Sequence, residues 1–111
     1  MRVEFIQLAG FTKAADCLFD DDDLRDLENT LIESPKAGAS LGGTGGARKL
    51  RVPLSGRGKR GGGRVIYWHH EVHGHMYLIL VYAKSDKDDL TSDEIAAIGA
   101  TIKYVKELGK R

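Results

Sequence analysis

Two runs rich in β-branched and aromatic residues, Arg64 to His70 and Met76 to Lys84, flank a turn signal at His73-Gly74 and constrain this chain more than any other feature. Such residues suit a pleated, half-buried surface. A connection this short joins only antiparallel neighbours, because a parallel pair needs a long crossover. The spacing therefore predicts a hairpin against which everything else must pack. At 111 residues the chain is expected to form one domain over residues 1–111, since two halves would each be too small to bury a stable core.

The remaining signals place elements around that hairpin. Val3 to Leu8 alternates apolar with polar positions and stops at Gly10, which predicts a short first strand. Thr12 is expected to cap a short helix. Asp20 to Asp23 precede Leu24, Leu27 and Leu31, a pattern of acidic cap and apolar stripe that predicts a helix of about three turns. It should close before Ser34-Pro35. Residues 37–47, AGASLGGTGGA, read as a glycine-rich loop into a strand at Arg48 to Val52, which Pro53 ends. A second glycine-rich loop runs from Ser55 to Gly63. Thr91-Ser92-Asp93-Glu94 is a capping box ahead of Ile95, Ile98, Ile102 and Val105, an amphipathic last helix. The order β-α-α-β-β-β-α predicts an α+β fold: a mainly antiparallel four-stranded sheet, two N-terminal helices and one C-terminal helix, with the helices on one face.

The formal net charge of +1 conceals a strong segregation. Asp16 to Glu33 carries Asp20, Asp21, Asp22, Asp23, Asp26 and Glu28 against the single Arg25. Lys36 to Arg64 contains no acid but holds Arg48, Lys49, Arg51, Arg57, Lys59, Arg60 and Arg64. A block of one sign is the footprint of a surface that meets phosphates. No run approaches the roughly 20 apolar residues of a membrane span, and the N-terminus lacks a basic region followed by a long apolar stretch. Those observations point to the cytoplasm and away from a membrane partner.

Several tempting motifs carry little. Gly56-Arg57-Gly58-Lys59-Arg60-Gly61 matches GxGxxG by letter, but a strand follows where dinucleotide binding requires a helix. A flexible basic loop reaching phosphates explains it better. His69, His70, His73 and His75 do not converge as metal ligands, because neighbours on a strand point to opposite faces, and no cysteine or acid cluster completes a shell. They read as residues of the hairpin surface, and neither a metal nor a cofactor is expected. Cys17, the sole cysteine, excludes an internal disulfide and is expected to be a small buried residue.

From Gly42 to Tyr67, GGTGGARKLRVPLSGRGKRGGGRVIY, the chain resembles the HigB-type toxins of the RelE/ParE superfamily. Their pattern is a glycine-rich entry, an R-K-x-R strand, a basic glycine loop and G-x-R-[VI]-I-Y. The likeness continues through Tyr77 to Asp89, YLILVYAKSDKDD, and reaches back to L-I-x-x-P-K at Leu31 to Lys36. The resemblance implies a RelE-like fold, ribosome-dependent endonucleolytic cleavage of messenger RNA, and neutralisation by a cognate HigA-like antitoxin with a helix-turn-helix domain. It places Lys49 and Arg51 on the family's basic strand pair, Arg64 on the arginine of the next strand and Lys84 on the basic position ending the last. Those four are the catalytic candidates, with Arg48, Arg57, Lys59, Arg60 and Lys87 as RNA-binding candidates. The tyrosine that some relatives carry after the last strand has no match; Thr91 and Ser92 stand nearby.

The implied chemistry uses the RNA's own 2′-hydroxyl as nucleophile. Arg51 and Arg64 would stabilise the phosphorane, since a guanidinium fork matches two phosphate oxygens. Lys49 is the acid or base candidate, because an ammonium can release a proton where a guanidinium cannot. Tyr82 or Trp68 could stack a base, although alternation on a strand more readily makes both of them core. Two other classes share these features: a ParE-type toxin that inhibits gyrase, and a noncatalytic RNA-binding protein.

Overall fold

The computed structural model describes residues 2–54 and 61–109. In chain order these form β1 (Glu4–Gln7), α1 (Ala9–Leu18), α2 (Asp21–Glu33), β2 (Ala39–Ser40), β3 (Arg48–Val52), β4 (Gly63–His70), a 3-10 turn (Glu71–His73), β5 (His75–Ala83) and α3 (Ser92–Leu108). One sheet has the order β1-β5-β4-β3-β2, with β1 parallel to β5 and every other pair antiparallel. The expected hairpin is its centre. The α+β class and the predicted order stand, with one strand added.

The added strand lies inside the glycine-rich segment. Ala39 and Ser40 pair with Lys49 and Arg48, and the Leu41 amide donates to the Ala47 carbonyl at 2.9 Å. Thr44 holds this turn from within: its buried hydroxyl donates to the Leu41 carbonyl and accepts from the Ala47 amide. Composition alone could not reveal a ladder closed by one threonine. Gly38 precedes it because a Cβ there would come within 2.9 Å of the Lys49 carbonyl oxygen and the Tyr67 ring.

The helices cover both faces of the sheet, not one. Phe11, Leu27 and Leu31 from α1 and α2 pack with Val65, Tyr67, Met76 and Leu78. Ile98 and Ile102 from α3 pack on the other side with Ile66, Trp68, Ile79 and Tyr82. The cause is in β4, where Val65, Ile66, Tyr67 and Trp68 are successive apolar residues that alternate between faces. Leaving either face uncovered would expose half of them. Each large side chain so buried contributes about 1.5–3 kcal/mol.

An irregularity between Ile66 and Tyr67 completes the two cores. Tyr67 pairs with Leu78 and Ile66 with Leu80, so β5 carries one extra residue at Ile79. An extra residue switches the facing of all that follows. Met76 and Leu78 therefore share a core with Val81 and Ala83, while Tyr82 joins the α3 side.

Helix ends follow local chemistry. Asp20 and Asp23 form a reciprocal capping box at α2, as do Thr91 and Glu94 at α3. The α1 helix begins at Ala9, before the expected cap, and Thr12 inside it donates to Gln7 Oε1 at 2.9 Å. Cys17 is exposed on that helix, contrary to the buried reading, because the inward positions go to Phe11 and its neighbours.

Tyr67 ties the first core to the chain outside it. Its hydroxyl accepts from the Gly38 amide at 2.9 Å and donates to the Pro35 carbonyl at 2.8 Å. Replacing Tyr67 with Phe would strand the buried Gly38 amide. The expected loss is about 1–3 kcal/mol, read as a lower urea midpoint with an unchanged slope; an unmoved midpoint would show that these bonds add nothing.

Candidate nucleic-acid interface

Strand alternation decides which basic residues meet. In β3, Leu50 and Val52 face the α1–α2 core, so Lys49 and Arg51 project to the α3 side of the sheet. Arg64 shares that side with Ile66 and Trp68. The register sets Arg51 directly opposite Arg64 and Arg64 directly opposite Tyr82, while Lys49 stands opposite Ile66. Arg51, Arg64 and Tyr82 thus form a row across three strands. Lys84 follows the end of β5, its amide donating to the Gly62 carbonyl at 3.0 Å. Gly62, at φ +63°, is required there, since a Cβ would fall 2.3 Å from the Val52 oxygen. All four catalytic candidates are therefore gathered on one face.

Their charges are not equally compensated. Lys49 Nζ lies 3.3 Å from Asp89 Oδ1, and Lys84 Nζ lies 3.6 Å from Asp88 Oδ1 and donates to the Asp88 carbonyl at 3.0 Å. Lys87 pairs with Glu94. These acids come from the segment that leads into α3 and from the first turn of that helix. The Leu90 amide and then Lys49 hold the Asp89 carboxyl below its usual range; Lys87 and then the Thr91 amide do the same for Glu94.

The arginines differ. Arg64 Nη1 donates to the Gly61 and Gly63 carbonyls, each at 3.0 Å, and neither Arg64 nor exposed Arg51 has an acid partner among the described residues. Like charges directly opposite each other in a sheet are destabilising. A pair kept in that arrangement without an acid suits an anion from outside, and guanidinium forks match phosphate oxygens.

The RNA-binding candidates do not all join them. Arg48 projects to the opposite face, where its Nη1 donates to the Gly38 carbonyl at 2.8 Å. Arg57, Lys59 and Arg60 lie outside the described residues. Lys87 lies near the catalytic candidates, with its Nζ 5.8 Å from the Tyr82 ring centroid. Trp68 and Tyr82 are both buried, so the core reading holds and neither offers a ring face to a base.

The histidines divide as alternation requires. His69 turns towards Glu71 and a groove lined also by Ser34, Pro35 and Lys36, while His70 stacks on Trp68 at 4.5 Å with His73 at its edge. Burial, and then the charges of His73, His75 and Lys106, lower the His70 pKa. Among the described residues no group of three or more His, Cys, Asp or Glu is placed to hold a metal ion.

Sequence reasoning missed two features of this face. One is the acidic segment on the lysines, whose partner for Lys49 lies forty residues away. The other is the Tyr82 hydroxyl, which is buried and has no hydrogen-bond partner among the described residues. Burial, and then the charge of Asp89, raise its pKa. Neither leaves a local signal.

Residues 6–111 match the family model described as the RelE toxin of the RelE/RelB toxin-antitoxin system. Among solved structures, the chain is similar to a free E. coli toxin RelE carrying two arginine-to-alanine substitutions, with a TM-score of 0.58 and 17% identity. The match covers 91% of this chain and 97% of that one. At that identity the likeness speaks to the fold alone.

The acidic segment gives this face a pH dependence with a definite sign. Glu94 titrates lower in the folded protein than its unfolded value of about 4.3, so its contribution is complete above that pH and is lost as pH falls through the lowered value. Thermal denaturation across the acid range should show this decline, and Glu94→Gln should flatten it. An equally steep decline in the variant would assign it to other carboxylates.

Proposed function

We propose that this chain, which belongs to the RelE toxin family of RelE/RelB toxin-antitoxin systems, is a HigB-type messenger RNA interferase that cuts translated messages on the ribosome. The observation that carries the reading is the directly opposed pair Arg51 and Arg64, two guanidinium groups without an acid partner among the described residues, on the same sheet face as Lys49 and Lys84. A cost in folding is accepted there for a site that receives phosphate.

The reaction is a transesterification. The RNA 2′-oxygen attacks the adjacent phosphorus and forms the new P–O bond, the bond to the 5′-oxygen of the next nucleotide breaks, and the 2′ proton passes to a base while the leaving oxygen gains one. Arg51 and Arg64 stabilise the charge that builds on the phosphorane oxygens, where fixed cations act without reorganising. Lys49, beside them, is the residue that moves a proton. Lys84 orients the phosphate from the strand end. The carboxylates of Asp88 and Asp89 exchange for phosphate oxygens as RNA binds, a small cost because exposed ion pairs are weak. Arg57, Lys59, Arg60 and Lys87 extend the contact along the RNA backbone, and no cofactor is used.

The ribosome supplies substrate alignment, which is worth as much as a good catalytic group when a site is open. A HigA-like antitoxin with a helix-turn-helix domain restrains the toxin in the cytoplasm, and one domain carries the activity. An acidic antitoxin segment is drawn to the same cations that hold RNA.

The test separates function from fold. Arg64→Ala should leave stability unchanged or raise it by about 0.2–1 kcal/mol, through relief of the like-charge pair. It should also slow cleavage of translated messenger RNA by about 10²-fold or more, read by primer extension. A variant that cuts like the parent would remove Arg64 from the site; a parent that cuts no translated message would end the interferase reading.

A further inference from the structure

Two tyrosines are buried in this sheet, on opposite faces, and they are not treated alike. Tyr67 is wholly enclosed, and its hydroxyl has both a donor and an acceptor: the Gly38 amide and the Pro35 carbonyl. Tyr82 is 7% exposed, and its hydroxyl has neither among the described residues. Buried polar atoms in native proteins are nearly always paired, so an orphan calls for an explanation. Phenylalanine would fill the same volume without the cost. The hydroxyl is therefore kept for something other than packing.

Its surroundings say what. Tyr82 is directly opposite Arg64 in the ladder, and Arg51 stands on the far side of Arg64 in the same row. Lys87 Nζ lies 5.8 Å from its ring centroid, and the charges of Asp89, Arg64 and Glu94 act on it. Burial, and then the Asp89 charge, keep this O–H in its neutral form, a donor with no acceptor among the described residues that lies opposite the Arg64 cation. A donor aimed at developing charge in a place with little water is the arrangement that stabilises a transition state.

We infer that Tyr82 is a further catalytic residue: its O–H donates a hydrogen bond to a nonbridging oxygen of the scissile phosphate, beside the Arg64 guanidinium, and keeps its proton throughout. This rests on the phosphate-receiving role proposed for the Arg51–Arg64 row. It asks that the Asp88 and Asp89 carboxylates leave Lys84 and Lys49 when RNA arrives, so that phosphate reaches the Tyr82 end of the row.

Tyr82→Phe and Tyr67→Phe make an internally controlled pair. Tyr82→Phe should fold with an unchanged or higher melting temperature and cut translated messenger RNA about 10²-fold more slowly, in single turnover, with its RNA affinity within a few-fold of the parent. Tyr67→Phe should do the reverse, losing stability and keeping its rate per folded molecule. The second measurement does not need cleavage. With tyrosines labelled with carbon-13 at Cζ, titration with a single-stranded oligonucleotide of 2′-deoxy sugars should shift the Tyr82 resonance and leave that of Tyr67 in place. If the parent cuts nothing but this Tyr82 shift appears, the interferase reading fails while the phosphate contact stands. Parental cleavage by Tyr82→Phe, or a Tyr82 resonance unmoved by bound oligonucleotide, would overturn the inference.

Discussion

Everything on the candidate face depends on the register of β4 between its two neighbours. Because side chains alternate, a slip of one residue would carry Arg64 to the α1–α2 core and Tyr67 to the α3 side. Two cores forbid that slip. Val65 and Tyr67 are locked beneath α1 and α2, Ile66 and Trp68 beneath α3, and the extra residue at Ile79 brings β5 into step with both. The row Arg51, Arg64, Tyr82 is thus set by apolar packing on either side of it. A scaffold that is rigid for reasons unrelated to charge can hold charges where they repel.

That repulsion distinguishes the face from an ordinary basic surface. Solvated lysines usually find acids, and Lys49, Lys84 and Lys87 do so with Asp89, Asp88 and Glu94. The two arginines, which cannot shed their charge, stand opposed, Arg64 donating to two backbone carbonyls and neither having an acid partner among the described residues. The lysine pairs are weak and exchangeable, and the arginine pair gains most from an incoming anion. The Tyr82 hydroxyl, without a hydrogen-bond partner among the described residues, belongs to the last residue of the same row, so donors of three kinds share the face where phosphate is proposed to bind.

Much of the fold was legible because its signals are local. The Asp20–Asp23 and Thr91–Glu94 caps, the His73-Gly74 turn and the stripe Ile95, Ile98, Ile102 each announce an element within a few residues. The site was legible as far as alternation goes: Lys49 and Arg51 share a face by spacing alone. What remained hidden depends on pairing between distant segments. The β2 ladder rests on Thr44, the parallel place of β1 rests on β5, and the division of helices between faces follows from filling both sides of β4. Arg48 sits one residue from Lys49 and looks equivalent in the charge pattern, yet it serves the Gly38 carbonyl on the other face. The contrast between Tyr67 and Tyr82 exists only once partners can be counted.

The central claim is that this face cleaves RNA by positioning cations around the RNA's own nucleophile. The chemistry of the cut ends tests it most directly. Messenger RNA cleaved in a purified translation system should be analysed by mass spectrometry of the fragments on both sides of the break. The account predicts a 2′,3′-cyclic phosphate on the upstream fragment and a 5′-hydroxyl on the downstream one. A 5′-phosphate on the downstream fragment would mean that an activated water had attacked, and would contradict it.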